Sequence, residues 1–300
     1  MTVLFLGLAG ILLVVLFIAS NKEKETPVPG ASQAEQRTAQ QVPPPVVLEE
    51  PIAYAFHRDQ LQVTFDKGKN WVDVPVEKEL LFKGEYQGNQ QELIENSYIL
   101  TKARTSFLYT EGTRWDDQEV VLLTTLDQGK TWNKEVVGDF SDFRFRKVDF
   151  LNEKFGYVMV SGGRTMSQEG SCVFLTYDGG AHWQPPSGPG TMRLLADGSF
   201  TDEQTGFMSY GTINPEKPDL YVTADGGKTW RESVVNVPEQ YERKFVAAEA
   251  PFREKDHLAM LVNQGPNGDY AGGLVKGKFI SKDNGRTWEF QEEMEPETEQ

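Results

Sequence analysis

The sequence predicts an all-β fold, a β-propeller of four-stranded blades, and three observations predict it. One short pattern, Ser/Thr-x-Asp-x-Gly-x-x-Trp, occurs at Thr64–Trp71, Thr125–Trp132, Thr176–Trp183, Thr223–Trp230 and Ser281–Trp288. The closing Trp residues fall 61, 51, 47 and 58 positions apart. That spacing marks supersecondary units repeated in an array. Each copy also follows a β-prone apolar stretch: Leu61–Phe65, Val120–Thr125, Cys172–Tyr177, Leu220–Thr223 and Lys278–Ser281.

Two extended stretches flanking a short Asp/Gly segment read as a β-hairpin. The carboxylates of Asp66, Asp127, Asp178, Asp225 and Asp283 can accept backbone N–H groups just downstream and close the turn. Gly68, Gly129, Gly180, Gly227 and Gly285 supply the positive φ the corner needs. The Ser/Thr hydroxyl holds the turn from the other side. Trp71, Trp132, Trp183, Trp230 and Trp288 are large apolar groups suited to packing between neighbouring repeats. The five carboxylates recur once per repeat, so they are expected in five separate turns, not at one metal or catalytic centre.

A second pattern lies upstream of the boxes. Phe150–Val160 and Phe200–Tyr210 share a Phe, an acidic turn, a Gly-aromatic pair and a strand; residues 94–109 and 245–261 carry weaker versions. Each repeat then holds four strands, one blade. The first is truncated, with only Ala53–His57 ahead of its box strand. Five blades are expected. Six is the alternative, if the segment after Leu80 or the chain end adds a partial blade. Ring closure would hide the strand edges.

The boxes resemble the Asp-box, or BNR, repeat of sialidases, sortilin-type receptors and photosystem-assembly propellers, over roughly residues 52–290. Asn70 and His182 depart from the usual Thr before the Trp. The resemblance implies a question of catalysis. A sialidase needs three arginines gripping a carboxylate, a Tyr nucleophile with a Glu partner, an Asp acid/base, and an Arg-Ile-Pro segment ahead of the first box. Here Pro51–Arg58 lacks that segment, and Phe143–Lys147 and Pro251–Arg253 hold arginine without the context. The chain is therefore expected to bind without catalysis, with a sialidase-like glycoside hydrolase as the alternative. No catalytic residue, metal ligand or cofactor is assigned. His57, His182 and His257 have no metal-ligand spacing, and no P-loop, Rossmann or nucleophile-elbow motif occurs.

The ends of the chain differ from its middle. Residues 1–20 carry no charged side chain and are long enough to cross a bilayer core. They are expected to form an uncleaved single-span anchor, with a cleaved signal peptide as the alternative. Residues 21–50, rich in Pro and Gln, read as a disordered tether. Residues 51–290 form the propeller, and the acidic residues 291–300 a disordered tail. The propeller is placed outside the cytoplasm. The formal net charge is −15, which excludes a basic nucleic-acid footprint. The single cysteine, Cys172, excludes an internal disulfide.

In an up-and-down blade, turns alternate between two ends. The loops joining strands two and three must open opposite the boxes: residues 111–119, 161–170, 211–218 and 263–277. Loops on a rigid scaffold commonly carry function. Arg114, Trp115, Asp116, Arg164, Tyr210, Asn214, Asp269 and Tyr270 offer aromatic and charged groups there. A protein or glycan partner is expected at this end. The oligomeric state is left open.

Overall fold

The computed structural model describes residues 51–295, except 86, 87, 89, 115, 116, 166, 167, 212 and 213 and the side chains of 164 and 165. The expected anchor, the tether and residues 296–300 lie outside the described residues. Among those described, no helix is long and apolar enough to cross a membrane.

The chain is all-β, and its strands form five sheets in sequence order. Sheet 1 holds β1 (Ala53–His57), β2 (Gln60–Thr64) and β3 (Val72–Glu77). A short helix, α1 (Lys78–Leu81), follows where a partial blade was the alternative; it lies against β3 and β5 (Thr105–Glu111). Sheet 2 holds β4 (Tyr98–Leu100), β5, β6 (Glu119–Thr125) and β7 (Asn133–Asp139). Sheet 3 holds β8 (Phe143–Phe150), β9 (Gly156–Thr165) and β10 (Gln168–Thr176). Its fourth position is reduced to one bridge, Val173 to Ser187. Sheet 4 holds β11 (Leu194–Phe200), β12 (Gly206–Gly211), β13 (Asp219–Thr223) and β14 (Arg231–Glu232). Sheet 5 holds β15 (Val234–Asn236), β16 (Ala247–Ala248), β17 (Phe252–Glu254), β18 (His257–Asn263), β19 (Lys276–Ser281) and β20 (Thr287–Met294). Neighbours are antiparallel except β15 and β20. β20 continues past residue 290: Glu292, Glu293 and Met294 pair with β19, so the tail begins later than expected.

One box closes each sheet, and all five share three bonds: Ser/Thr hydroxyl to Asp, Gly N–H to that hydroxyl, and the N–H four residues past the Asp back to its carboxylate. In the second, the Thr125 hydroxyl donates to Asp127 Oδ1 at 2.9 Å and accepts from the Gly129 N–H at 2.8 Å. Asp127 accepts from the Thr131 N–H at 2.9 Å and from its hydroxyl at 2.7 Å. These bonds hold the Asp127 carboxyl down at about 2, the Thr131 N–H contributing most. Asp178 and Asp225 are held at about 2 by the equivalent bonds from His182 and Thr229. The two departures from Thr are conservative in effect. Asn70 Nδ2 reaches Asp66 at 2.6 Å and His182 Nδ1 reaches Asp178 at 2.7 Å, so each replaces the hydroxyl contact.

The core is four apolar clusters, each between consecutive sheets. Sheets 1 and 2 share Leu61, Val63, Phe107 and Leu123; sheets 2 and 3 share Leu108, Leu122, Val158 and Phe174. Sheets 3 and 4 share Tyr157, Leu175, Phe200 and Met208; sheets 4 and 5 share Phe207, Val222, Met260 and Phe279. Each box Trp packs into the cluster shared with the sheet before it: Trp132, Trp183, Trp230 and Trp288 join these clusters in turn. Trp71 joins none of these clusters among the described residues and is 36% exposed. Burial follows the same logic. β5 and β12 are buried on both faces, whereas β2 and β19 alternate buried and partly exposed. Among the described residues no apolar cluster joins sheet 5 to sheet 1, where ring closure was expected.

Candidate functional site: a polar cleft between the fourth and fifth sheets

The turn between the first two strands of a sheet lies beside its box. The Gly179 N–H donates to Lys154 O at 2.8 Å, and the Gly226 N–H to Gln204 O at 3.0 Å. Arg104, from the corresponding turn of sheet 2, donates to Gly179 O at 3.2 Å. The loops joining second to third strands therefore open at the opposite end.

There the loop after β12 meets the loop after β18. The Asn267 side-chain amide donates to Asn214 Oδ1 at 2.8 Å. Pro215 lies against Gly265, so close that a Cβ there would sit 3.0 Å from the Pro215 ring. Two adjoining cavities share Pro215. One, of about 240 Å³, is lined by Arg193, Tyr210, Glu216, Lys217, Asp219 and Glu232. The other, of about 180 Å³, is lined by Asn214, Arg243, Lys244, Asn267, Asp269 and Tyr270.

Strand alternation builds the first wall. Asp219 and Tyr221 share one face of β13. Arg193 pairs with Asp219, and its other nitrogen donates to Tyr221 Oη at 2.8 Å. Tyr221 in turn donates to Glu232 at 3.0 Å. Burial raises the Asp219 carboxyl against the pull of Arg193. Tyr210 shares a hydrogen bond with Ser171 Oγ at 2.9 Å, and burial raises its phenol, so it stays neutral.

The second wall is held by an amide and a ring. Gln264 Nε2 donates to Tyr270 O and Val275 O, both at 2.9 Å, which ties the loop to the end of β18. Tyr270 donates to Glu293 at 2.9 Å. The Lys244 ammonium sits 4.4 Å from the Tyr270 ring, a cation–π contact. Gln264 Oε1 is buried and has no hydrogen-bond partner among the described residues.

The structure thus brings together Tyr210, Asn214, Asp269 and Tyr270. Arg114 belongs to the sheet 2 loop and lines neither cavity. Trp115, Asp116 and the Arg164 side chain lie outside the described residues. Sequence reasoning missed Arg193, Asp219, Tyr221, Glu232, Arg243 and Lys244. The alternation of Asp219 and Tyr221 was the one available signal; the others come from segments distant in sequence. Among the described residues no group of three His, Cys, Asp or Glu side chains could hold a metal ion.

No family model matches the chain, and no curated protein matches it. Solved structures similar to it include Trypanosoma rangeli sialidase, at 12% identity and a TM-score of 0.42, over 70% of this chain and 42% of that one. A GH74 xyloglucanase from Xanthomonas campestris is similar at 16% identity and a TM-score of 0.40, over 77% of this chain and 34% of that one. A protein of unknown function from Dyadobacter fermentans is similar at 14% identity and a TM-score of 0.41, over 82% of this chain and 70% of that one. The chain spans less than half the length of the sialidase and the xyloglucanase.

Proposed function

We propose that the five sheets serve as blades of a propeller-type binding module without catalytic activity. It holds a protein or glycan partner at the loop end of sheets 4 and 5, and residues 1–20 anchor it to a membrane with the blades outside the cytoplasm. The carrying observation is the Asn214–Asn267 contact, which turns two loops into one cleft. Around it, amides, carboxylates and cations alternate with Tyr rings. Mixed donors and acceptors beside aromatic faces suit hydroxyl, amide or peptide groups, which both give and take hydrogen bonds. The test is capture of partners by the full-length chain in detergent, alongside a glycan array. An Arg193→Ala, Asn267→Ala double variant is expected to lose at least ten-fold of the recovered partner. Unchanged recovery of every partner overturns this placement.

One observation favours the glycoside hydrolase reading: Tyr221 donates to Glu232 beside Arg193 and Asp219. Against it, the first cavity is lined by a single arginine, already committed to Asp219 and Tyr221. Burial and Glu232 also raise the Tyr221 phenol, which disfavours an activated nucleophile. Turnover of a fluorogenic sialoside, abolished by Tyr221→Phe, would establish catalysis in place of binding alone.

A further inference from the structure

A cavity of about 590 Å³ lies at the box end, between sheets 2 and 3. It is larger than either cavity of the loop-end cleft and has the size of a small-molecule site. Three segments build it: the turn from β4 to β5, the second box, and the turn from β8 to β9. One wall is apolar. Ile99, Ala103, Leu126 and Phe150 line it, and Leu126 is 56% exposed although it is a large apolar residue. One charged group is set into that wall. Arg104 is 8% exposed, and its guanidinium lies 3.7 Å from the centre of the Phe150 ring, a cation–π contact.

Both ends of Arg104 are held. Its backbone N–H donates to the Thr101 hydroxyl at 3.0 Å, and its carbonyl accepts from the Thr101 N–H at 2.9 Å. One terminal nitrogen donates to Gly179 O at 3.2 Å and the other to Glu153 O at 3.4 Å. Gly179 has a φ of +81°, and a Cβ there would come within 2.8 Å of Glu153 O, so glycine lets the third box close on the turn that receives the guanidinium. An arginine has five N–H donors in a planar fork, and these two long bonds to neutral carbonyls leave donor capacity beside the cavity that Arg104 lines. Burial lowers the guanidinium from its ordinary value, because a charge withdrawn from water is costly without an opposite charge. Arg146 is also buried and also rests on carbonyl groups, those of Leu81 and Lys83; the cavity is what sets Arg104 apart.

We infer that this cavity binds a small organic monocarboxylate with an apolar chain or ring. The carboxylate takes the remaining N–H groups of Arg104, and the apolar body lies against Ile99, Leu126 and Phe150. A carboxylate matches the planar fork of a guanidinium. The other polar groups of the lining are engaged in their own turn. Asp149 accepts from the Phe150 N–H at 2.8 Å and from the Tyr157 hydroxyl at 3.4 Å. Asn152 accepts from the Lys154 and Phe155 N–H groups, both at 2.8 Å. Asp149 and Glu153 also line the cavity, so a doubly charged anion meets more repulsion there than a singly charged one. The site lies at the opposite end of the sheets from the Asn214–Asn267 cleft and stands apart from what the cleft binds.

The test is titration calorimetry on the full-length chain in lipid nanodiscs, with phenylbutyrate as the probe and phenylbutyramide as its uncharged counterpart. The acid is expected to bind at least ten-fold more tightly than the amide, and Arg104→Gln to remove that preference. Arg104 also ties two sheets together, so Leu126→Glu, at an exposed position, is the second variant. It sets a carboxylate on the apolar wall and is expected to weaken binding of the acid at least ten-fold with the melting temperature unchanged. Inorganic phosphate at matched ionic strength is expected not to compete. No saturable binding of the acid, equal binding of acid and amide, competition by phosphate, a preference retained in folded Arg104→Gln, or full affinity in Leu126→Glu overturns the inference.

Discussion

The side-chain amides of Asn214 and Asn267 meet at 2.8 Å across the boundary between sheets 4 and 5. Fifty-three positions separate them in sequence, yet this contact, beside that of Pro215 with Gly265, joins the two loops into a cleft. Asn267→Asp replaces the donor with a second acceptor facing Asn214 Oδ1. Partner affinity is expected to fall about ten-fold, roughly 1.4 kcal/mol, with exchange in residues 264–275 accelerated and the melting temperature nearly unchanged. Titration of a captured partner, with hydrogen exchange, checks this.

The box hydroxyls are structural. Thr223 is buried; its hydroxyl donates to Asp225 at 2.8 Å and accepts from the Gly227 N–H at 2.9 Å. Thr223→Val keeps the shape and leaves that N–H without a partner. A loss of about 1–3 kcal/mol is expected, read from urea unfolding. Thr229→Ala, at an exposed position of the same turn, is expected to cost less.

Acid should loosen the turns. Asp127, Asp178 and Asp225 have folded-state values of about 2, below the ordinary 3.8. A depressed carboxyl favours the folded state above its unfolded value, and that contribution disappears as pH falls through the folded value. Stability from this source is thus expected to be flat above about pH 5 and to decline between about pH 4 and pH 2. Asp225→Asn should remove part of the slope in thermal melts taken across that window.

The five box tryptophans should not be equivalent. Trp288 is fully buried against Phe207, with its indole N–H on Gly285 O at 3.1 Å, whereas Trp71 is 36% exposed. Trp288→Ala is expected to cost about 3–5 kcal/mol. Trp71→Ala should cost a small fraction of that, as measured by the same unfolding series.

Cys172 should be inert. Burial pushes its thiol up to about 12, so little thiolate exists near neutral pH and the thiolate is the reactive form. Labelling by a soluble disulfide reagent at pH 8 is expected to be at least a hundred-fold slower in the native chain than in urea. Rapid native labelling would show that the strand opens.

The sequence by itself determined the local architecture. Ser/Thr, Asp, Gly and Trp at fixed offsets encode a turn whose bonds close within eight residues, so five corners and their strands were legible without coordinates. Asn214, Asp269 and Tyr270 were legible as loop residues because turns alternate between the two ends of a blade; Tyr210, expected beside them, lies in β12. Only the tertiary structure decided which loops meet. Asn214 and Asn267 are neighbours because sheets 4 and 5 stack in order, and no local offset records a contact made across a stack. Among the described residues, Trp132, Trp183, Trp230 and Trp288 pack back onto the preceding sheet and Trp71 joins no such cluster, and which sheets share a core is settled by packing, not by a sheet's own residues.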